Sequence, residues 1–301
     1  MTLIVIGGAT ATGKSNLALD VAERIGAEIV NADSMQLYKG MDIGTAKVPL
    51  AERRDITHHM LDILEITDDS SVAEYQSQAR NIINSLLANN IPVVVVGGTG
   101  LYIKALLDQL SFPDRDPKVR ERLFAEAESL GESGMHQRLA AVDPEAAGLI
   151  PAQNLRRVIR ALEVIELTGE PYAASLPRDE KGYYPQAKQF AIAIDRETLH
   201  RRIELRVEQM WERGFVDEVA QLAEEGLRDG RTARAAIGYE QVLAALDGQM
   251  SMESAREETI TSTRQYARRQ GTWFSKDGRI TWLEGSQVQL LERVLASSGN
   301  W

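Results

Sequence analysis

The apolar positions begin without a polar interruption: Leu3-Ile4-Val5-Ile6 has the continuous pattern of a short strand covered on both faces. From Lys14 to Ile25 the apolar residues recur at helical spacing, and Gly26 supplies the stop. Ala27 to Val30 reads as a second strand that ends near Asp33, followed by a polar stretch with Gly40 and Gly44. Ser71 and Glu74 have capping-box spacing ahead of a helix from Val72 to Ala88. Pro92 then introduces Val93 to Val96, the strongest strand signal in the chain. Gly97-Gly98-Thr99-Gly100 ends that strand, and a helix starts near Leu101. Strands alternating with helices predict a parallel sheet with right-handed crossovers.

The pattern changes at Pro113-Asp114-Arg115-Asp116-Pro117. From there to about Tyr184 the periodicity is helical, with runs over Val119–Leu130, Met135–Val142 and Leu155–Leu167. Residues 175–187 are polar and read as a loop, and Phe190 to Ile194 returns to strand character. Helices are expected over Thr198–Arg213, Phe215–Glu225 and Met252–Trp273, with a last strand over Ile280–Leu283. An all-helical insert of roughly 75 residues is large enough to pack as a subdomain. The expected division is a core of residues 1–114 and 190–301 interrupted by an insertion domain of residues 115–189.

Gly8-Ala9-Thr10-Ala11-Thr12-Gly13-Lys14-Ser15 fits G-x-x-x-x-G-K-[ST] without a mismatch, between an expected strand and an expected helix. Glycines let backbone N–H groups curl around phosphate oxygens, and a helix N-terminus adds a favourable field. Lys14 supplies a point charge and Ser15 a hydroxyl for Mg²⁺. The expected fold class is therefore α/β: a P-loop NTPase-like parallel sheet flanked by helices, with an all-helical insertion subdomain. A motor ATPase carries an acidic residue at the end of a neighbouring strand, whereas Val93–Val96 runs into Gly97-Gly98-Thr99. Asp33 is the carboxylate expected near the loop, because ligands of open α/β sheets sit beyond the carboxyl ends of the strands. There it can accept a proton from an incoming nucleophile, or serve only as a turn residue.

The 301 residues hold no cysteine, which excludes disulfides, zinc–thiolate sites and cysteine nucleophiles. No apolar run reaches the ~20 residues of a membrane helix, and the N-terminus lacks the pattern of a signal peptide, so a soluble, cytoplasmic protein is expected. His58 and His59 lack metal-ligand spacing and read as polar loop residues. The formal charge of −10, from 34 basic and 44 acidic residues, argues against non-specific coating of nucleic acid. The arginines nevertheless cluster: Arg156, Arg157 and Arg160; Arg201, Arg202 and Arg206; Arg228, Arg231 and Arg234; and Arg264, Arg268 and Arg269 with Tyr266, Trp273 and Phe274 interleaved. Each cluster is a solvated face or an anion contact; together around a phosphate loop they favour a polyanionic partner.

Five stretches, taken in order, resemble the bacterial tRNA dimethylallyltransferase (tRNA isopentenyltransferase) family: Gly8 to Ser15, Asp33 to Lys47, Gly97 to Tyr102, Arg160 to Val164 and Thr263 to Gln270. The resemblance implies Mg²⁺-assisted transfer of a dimethylallyl group from dimethylallyl diphosphate to N6 of the adenosine just 3′ of the anticodon, position 37, in tRNAs that read codons beginning with U. It implies catalytic roles for Asp33, Thr10, Lys14 and Arg206, diphosphate binding by Gly8 to Ser15 (Gly8, Ala9, Thr10, Ala11, Thr12, Gly13, Lys14, Ser15), and Mg²⁺ on Ser15. It implies tRNA contacts at Asp33, Ser34, Met35, Gln36, Thr99, Arg120, Arg157, Arg160 and Arg264. A monomer without an obligate protein partner suffices for such a reaction. Ala9 and Ser15 depart from the proline and threonine frequent in that family, without loss of a functional group. A small-molecule P-loop kinase, with the insert as its lid, is the alternative that the phosphate loop alone leaves open.

Overall fold

A computed structural model describes residues 2–110, 112–113, 116–172 and 182–298. Asp114, Arg115 and part of the expected loop over 175–187 lie outside the described residues. In chain order the elements are β1 (Leu3–Gly7), α1 (Lys14–Ile25), β2 (Glu28–Asn31), β3 (His58–His59), α2 (Val72–Ala88), β4 (Val93–Val96) and α3 (Gly100–Leu107). Then come α4 (Pro117–Val142), α5 (Pro144–Leu149), α6 (Leu155–Thr168), β5 (Lys188–Ile192), α7 (Arg196–Glu212), α8 (Phe215–Glu224), α9 (Tyr239–Leu246), α10 (Met252–Phe274), β6 (Ile280–Leu283) and α11 (Gln287–Ser298).

The six strands form one parallel sheet in the order β3-β2-β4-β1-β5-β6. Its period-2 alternation divides the apolar run of β1 between two cores. Leu3 and Val5 pack with Val93, Val95, Tyr75, Ile83 and Leu106 on the α2–α3 side, whereas Ile4 and Ile6 pack with Leu17, Val21 and Val294 on the α1–α11 side. A third cluster seats Tyr38 and Met41 among Phe215, Val219, Tyr239 and Val242 of α8 and α9.

The chain divides into two compact units, Met1–Leu107 with Tyr184–Trp301, and Asp108–Tyr183. The second unit has its own core, in which Leu123, Met135, Leu139, Val158, Ile159 and Leu162 from α4 and α6 are buried together. Among the described residues no helix is long and apolar enough to cross a membrane.

Several element expectations need correction. His58 and His59 form an edge strand against β2, and His59 Nε2 lies 2.5 Å from the Glu28 carboxylate. A strand needs only backbone partners, so two polar residues at a sheet edge carry no periodic signal. The helices expected at Val119–Leu130 and Met135–Val142 are both present and share the label α4: they are joined across Gly131, whose φ of 67° and ψ of 178° are not helical. The strand expected at Phe190–Ile194 begins two residues earlier, at Lys188. Helices α5, α9 and α11 were not expected; the first two have only 6 and 8 residues, too short to show a helical period.

Candidate functional site

The site sits at the carboxyl ends of β1, β2 and β4. Beyond β1 the phosphate loop turns through Ala11 and Gly13, at φ of 60° and 96°, and delivers Lys14 and Ser15 as the first two residues of α1. The Ala9 carbonyl accepts from both the Thr12 hydroxyl, at 2.9 Å, and Lys14 Nζ, at 2.5 Å, so the loop is closed before any ligand arrives. Beyond β2, Asn31 Oδ1 accepts from Asp33 N–H at 3.1 Å, and Asn31 Nδ2 donates to the Met60 carbonyl at 2.9 Å. Asp33 in turn accepts from Met35 N–H at 3.0 Å, which aims its carboxylate inward. Beyond β4, Thr99 Oγ1 accepts from Ser34 N–H at 3.0 Å, joining the two strand ends.

Helices α7 and α10 cover these ends. Ile203 of α7 and Ala267 of α10 pack on Ala9. Arg202, next to Ile203, donates to the Thr12 carbonyl, and Arg206, about one turn further on, donates to the Thr10 hydroxyl, each at 3.4 Å. From α10, buried Gln270 accepts from Thr10 N–H at 2.8 Å and donates to the Gly98 carbonyl at 2.9 Å.

The charges influence one another. Burial pulls the Lys14 ammonium from 10.5 down to about 7, Arg206 adds to that, and Asp33 opposes it. Burial pushes the Asp33 carboxyl up, against the Met35 N–H, Lys14 and Arg206. Burial likewise depresses the Arg206 guanidinium, and Asp33 supports its charge. Tyr266 is pushed up to about 12, first by burial and then by Asp33, with hydrogen bonds to Thr99 and Gln270 opposing. Two cations desolvated beside one carboxylate form a site that an incoming anion would relieve.

A cavity of about 330 Å³ opens from this group. Thr10, Asp33, Ser34 and Arg206 line its polar end, and Val207, Met210, Phe215, Ala236 and Ile237 give it apolar walls. Its far side is held by Glu218, whose carboxylate accepts from the N–H groups of Asp42, Ile43 and Gly44, at 2.7 to 3.3 Å, and from the Tyr239 hydroxyl at 2.6 Å. A second cavity of about 680 Å³ lies on the other side of the phosphate loop, against Ala9, Thr12, His200, Arg264 and Trp282.

The structure thus gathers Thr10, Lys14, Asp33, Ser34, Met35, Thr99 and Arg206. Gln36 instead donates to the Thr45 carbonyl at 3.1 Å, inside the loop that ends at Lys47. Lys47 is buried and braces that loop through Asp42, Asp62 and the Tyr38 carbonyl. Arg264 lines the second cavity and pairs with Glu204. Arg120, Arg157 and Arg160 belong to the helical unit. There Arg157 is exposed, Arg120 lies over the Phe124 ring, and Arg160 pairs with buried Glu163 and donates to the Pro113 carbonyl. Two cluster readings change. Arg228 and Arg231 are paired with Asp247 and Asp69, and Arg234 donates to the Arg228 carbonyl, so this cluster ties loops together. Phe274 is a core residue, with its ring against Gly7, and offers no face to a base. Gln270 and Glu218 stand outside the charge clusters of the sequence: Gln270 is signalled only by falling within the stretch Thr263 to Gln270, where Tyr266 already stands out as an aromatic among arginines.

Residues 36–277 match the IPP transferase family model. The chain belongs to that family. Among curated relatives, a tRNA dimethylallyltransferase of Parafrankia sp. is 54% identical over 287 residues, covering 95% of this chain and 89% of that protein. One from Nocardioides sp. is 50% identical over 294 residues, covering 98% and 94%. Among solved structures, the full-length tRNA isopentenylpyrophosphate transferase of Bacillus halodurans superposes with a TM-score of 0.72 at 35% identity, covering 99% of this chain and 96% of that one. A eukaryotic dimethylallyltransferase acting on tRNA superposes with a TM-score of 0.83 at 27% identity, covering 98% and 77%. The fold is accordingly P-loop NTPase-like, and the family match supports the transferase reading rather than the small-molecule kinase.

Proposed function

We propose that this chain transfers a dimethylallyl group from dimethylallyl diphosphate to N6 of the adenosine 3′ of the anticodon, position 37, in tRNAs that read codons beginning with U. The observation that carries this reading is the shape of the smaller cavity. Thr10 of the phosphate loop, the Asp33 carboxylate and Arg206 share its polar end, and Val207, Met210, Phe215, Ala236 and Ile237 give it an apolar wall beside Thr259, Thr263 and Arg269. An allylic diphosphate needs a polar cradle for its head and an apolar wall for its tail.

In this reading the backbone of Gly8 to Ser15 cradles the diphosphate, with Lys14 and Arg206 on its charge and Thr10 beside Arg206. The lone pair of the adenine N6 forms a bond to C1 of the allyl group. The C1–O bond breaks, and its electrons leave with the diphosphate. The carboxylate of Asp33 accepts the proton that the amine sheds. Burial that raises the Asp33 carboxyl also makes it a better acceptor. The base must leave the stack of the anticodon loop to enter the cavity.

The donor set near the loop suits Mg²⁺. Among the described residues no three acidic or histidine side chains converge into a metal cage, and Ser15 offers one neutral hydroxyl. A cation that keeps its waters and binds mainly through phosphate oxygens fits such a place. When bound, Mg²⁺ would neutralise charge on the departing diphosphate. For the tRNA, Ser34, Met35 and Thr99 would meet the base beside the carboxylate, Gln36 would act from the loop that it braces at Thr45, Arg264 lies across the phosphate loop, and Arg120, Arg157 and Arg160 of the insertion domain would contact the anticodon stem-loop.

Purified protein, Mg²⁺, labelled dimethylallyl diphosphate and an unmodified anticodon stem-loop test the proposal. Label should appear on the RNA with wild type and collapse with Asp33→Asn and with Lys14→Ala. Absence of label, with phosphate released from ATP, would overturn it.

A further inference from the structure

Gln270 touches both sides of the divide between the proposed leaving-group and nucleophile subsites. It is only 5% exposed, and both ends of its amide are used. A backbone N–H can only donate and a carbonyl can only accept, so the amide is fixed with Oε1 on Thr10 N–H and Nε2 on the Gly98 carbonyl. Thr10 is the residue whose hydroxyl meets Arg206. Gly98 precedes Thr99, whose hydroxyl holds Ser34 beside Asp33. The contact is close enough to dictate its partner: a Cβ on Gly98 would lie 2.2 Å from Gln270 Nε2.

We propose that Gln270 is a positioning residue for group transfer, setting the separation between the diphosphate subsite at Thr10–Arg206 and the proton-accepting carboxylate at Asp33. It touches neither reactant. Its amide instead clamps the phosphate loop to the turn after β4, the strand that lies between β1 and β2. A displacement of about 1 Å between reacting groups lowers a rate by up to about 100-fold. The inference rests on the prenyl-transfer reading and adds a residue with a definite job within it.

Gln270→Met keeps the length of the side chain and removes both hydrogen bonds. Gln270→Glu keeps an acceptor for Thr10 N–H but, when ionised, cannot donate to the Gly98 carbonyl. A neutral glutamic acid can do both, through its carbonyl oxygen and its O–H. The measurement is the single-turnover rate of prenyl transfer to the stem-loop at saturating dimethylallyl diphosphate, with RNA affinity and the melting curve recorded for each variant. Gln270→Met should transfer roughly 10- to 100-fold more slowly with RNA affinity within about twofold of wild type. Gln270→Glu should be equally slow at high pH, and its rate relative to wild type should recover as pH falls. The facing ionisable groups Asp33, Lys14, Arg206 and Tyr266 are present in both proteins, so their titrations largely cancel in that ratio. A folded Gln270→Met within about threefold of the wild-type rate would overturn the proposal. So would a ratio for Gln270→Glu that is flat with pH, and that ratio decides alone should Gln270→Met not fold. Wild type that transfers nothing would instead sink the functional reading on which the inference stands.

Discussion

Lys14, the lysine of the phosphate-loop motif, should make the free protein less stable than it could be. Burial and the neighbouring Arg206 bring Lys14 from 10.5 to about 7, against the pull of Asp33. The folded state therefore disfavours the charged form that the unfolded chain prefers. Below pH 7 the whole penalty is present; between about 7 and 10.5 it shrinks; above 10.5 it is gone. Each pKa unit corresponds to about 1.4 kcal/mol, so the ceiling below pH 7 is about 5 kcal/mol, and solvent screening of the half-buried Lys14 leaves about 2–4 kcal/mol. Lys14→Met keeps most of the side chain's length and removes the charge. The Ala9 carbonyl that Lys14 occupies still accepts from the Thr12 hydroxyl at 2.9 Å, so no orphan is left. Denaturant melts of both proteins at pH 6.5, 8.5 and 10, without ligand, give the difference directly. The variant should be more stable by that amount at the lowest pH, by less at 8.5, and by almost nothing at 10. Adding diphosphate should reverse the order at pH 6.5, because only the wild type gains an ion pair. A variant less stable than wild type at pH 6.5 without ligand, or a gain that ignores pH, would refute the reasoning.

The same shifts predict a bell for kcat/KM, rising as Asp33 ionises above the usual carboxylate range and falling near pH 7 as free Lys14 loses its proton. The falling limb of kcat should lie higher, since bound diphosphate holds the lysine proton; coincident limbs would contradict this. Glu218→Ala removes the acceptor of three backbone N–H groups and of the Tyr239 hydroxyl, and should lower stability by about 2–4 kcal/mol in a thermal melt. Gly97→Ala would place a Cβ 2.1 Å from the Ala32 carbonyl oxygen, and should cost about 1–3 kcal/mol or more, with a slower transfer rate because β2 and β4 must part. An unchanged melting temperature in either variant would count against the packing described.

What the sequence makes legible is local. The phosphate loop needs consecutive residues in one conformation, so its spacing shows in the chain, as does the capping of α2 by Ser71. Asp33 is legible because it ends a strand, and strand ends of a parallel sheet share an edge. The roles of α7 and α10 depend instead on which helix face meets the loop. Spacing sets Arg202 and Arg206 on one face of α7 and the resemblance singles out Arg206, but that this face meets the phosphate loop shows only in the packing of Ile203 on Ala9. Of these two, the Thr10 hydroxyl distinguishes Arg206. Gln270 is neutral and sits in a run of arginines, so a search for charge passes over it.

The strand order supplies the remaining step. A chain read from its N-terminus puts β1 and β2 in succession, and nothing local says that β4 pairs between them. That insertion explains why β4 ends in Gly97-Gly98 and not in a carboxylate. Asp33 and the phosphate loop face each other across the end of β4, and the space there is already filled. A side chain at residue 97 would meet the Ala32 backbone, and one at residue 98 would meet Gln270. The acidic residue that a P-loop ATPase places near this edge thus has no room here, and the carboxylate of the site comes from β2. Asp33 lines the cavity, a placement that suits the proposed acceptance of a proton from an amine. The bland pair of glycines after a valine run is, in this sense, as informative about the reaction as the phosphate loop itself.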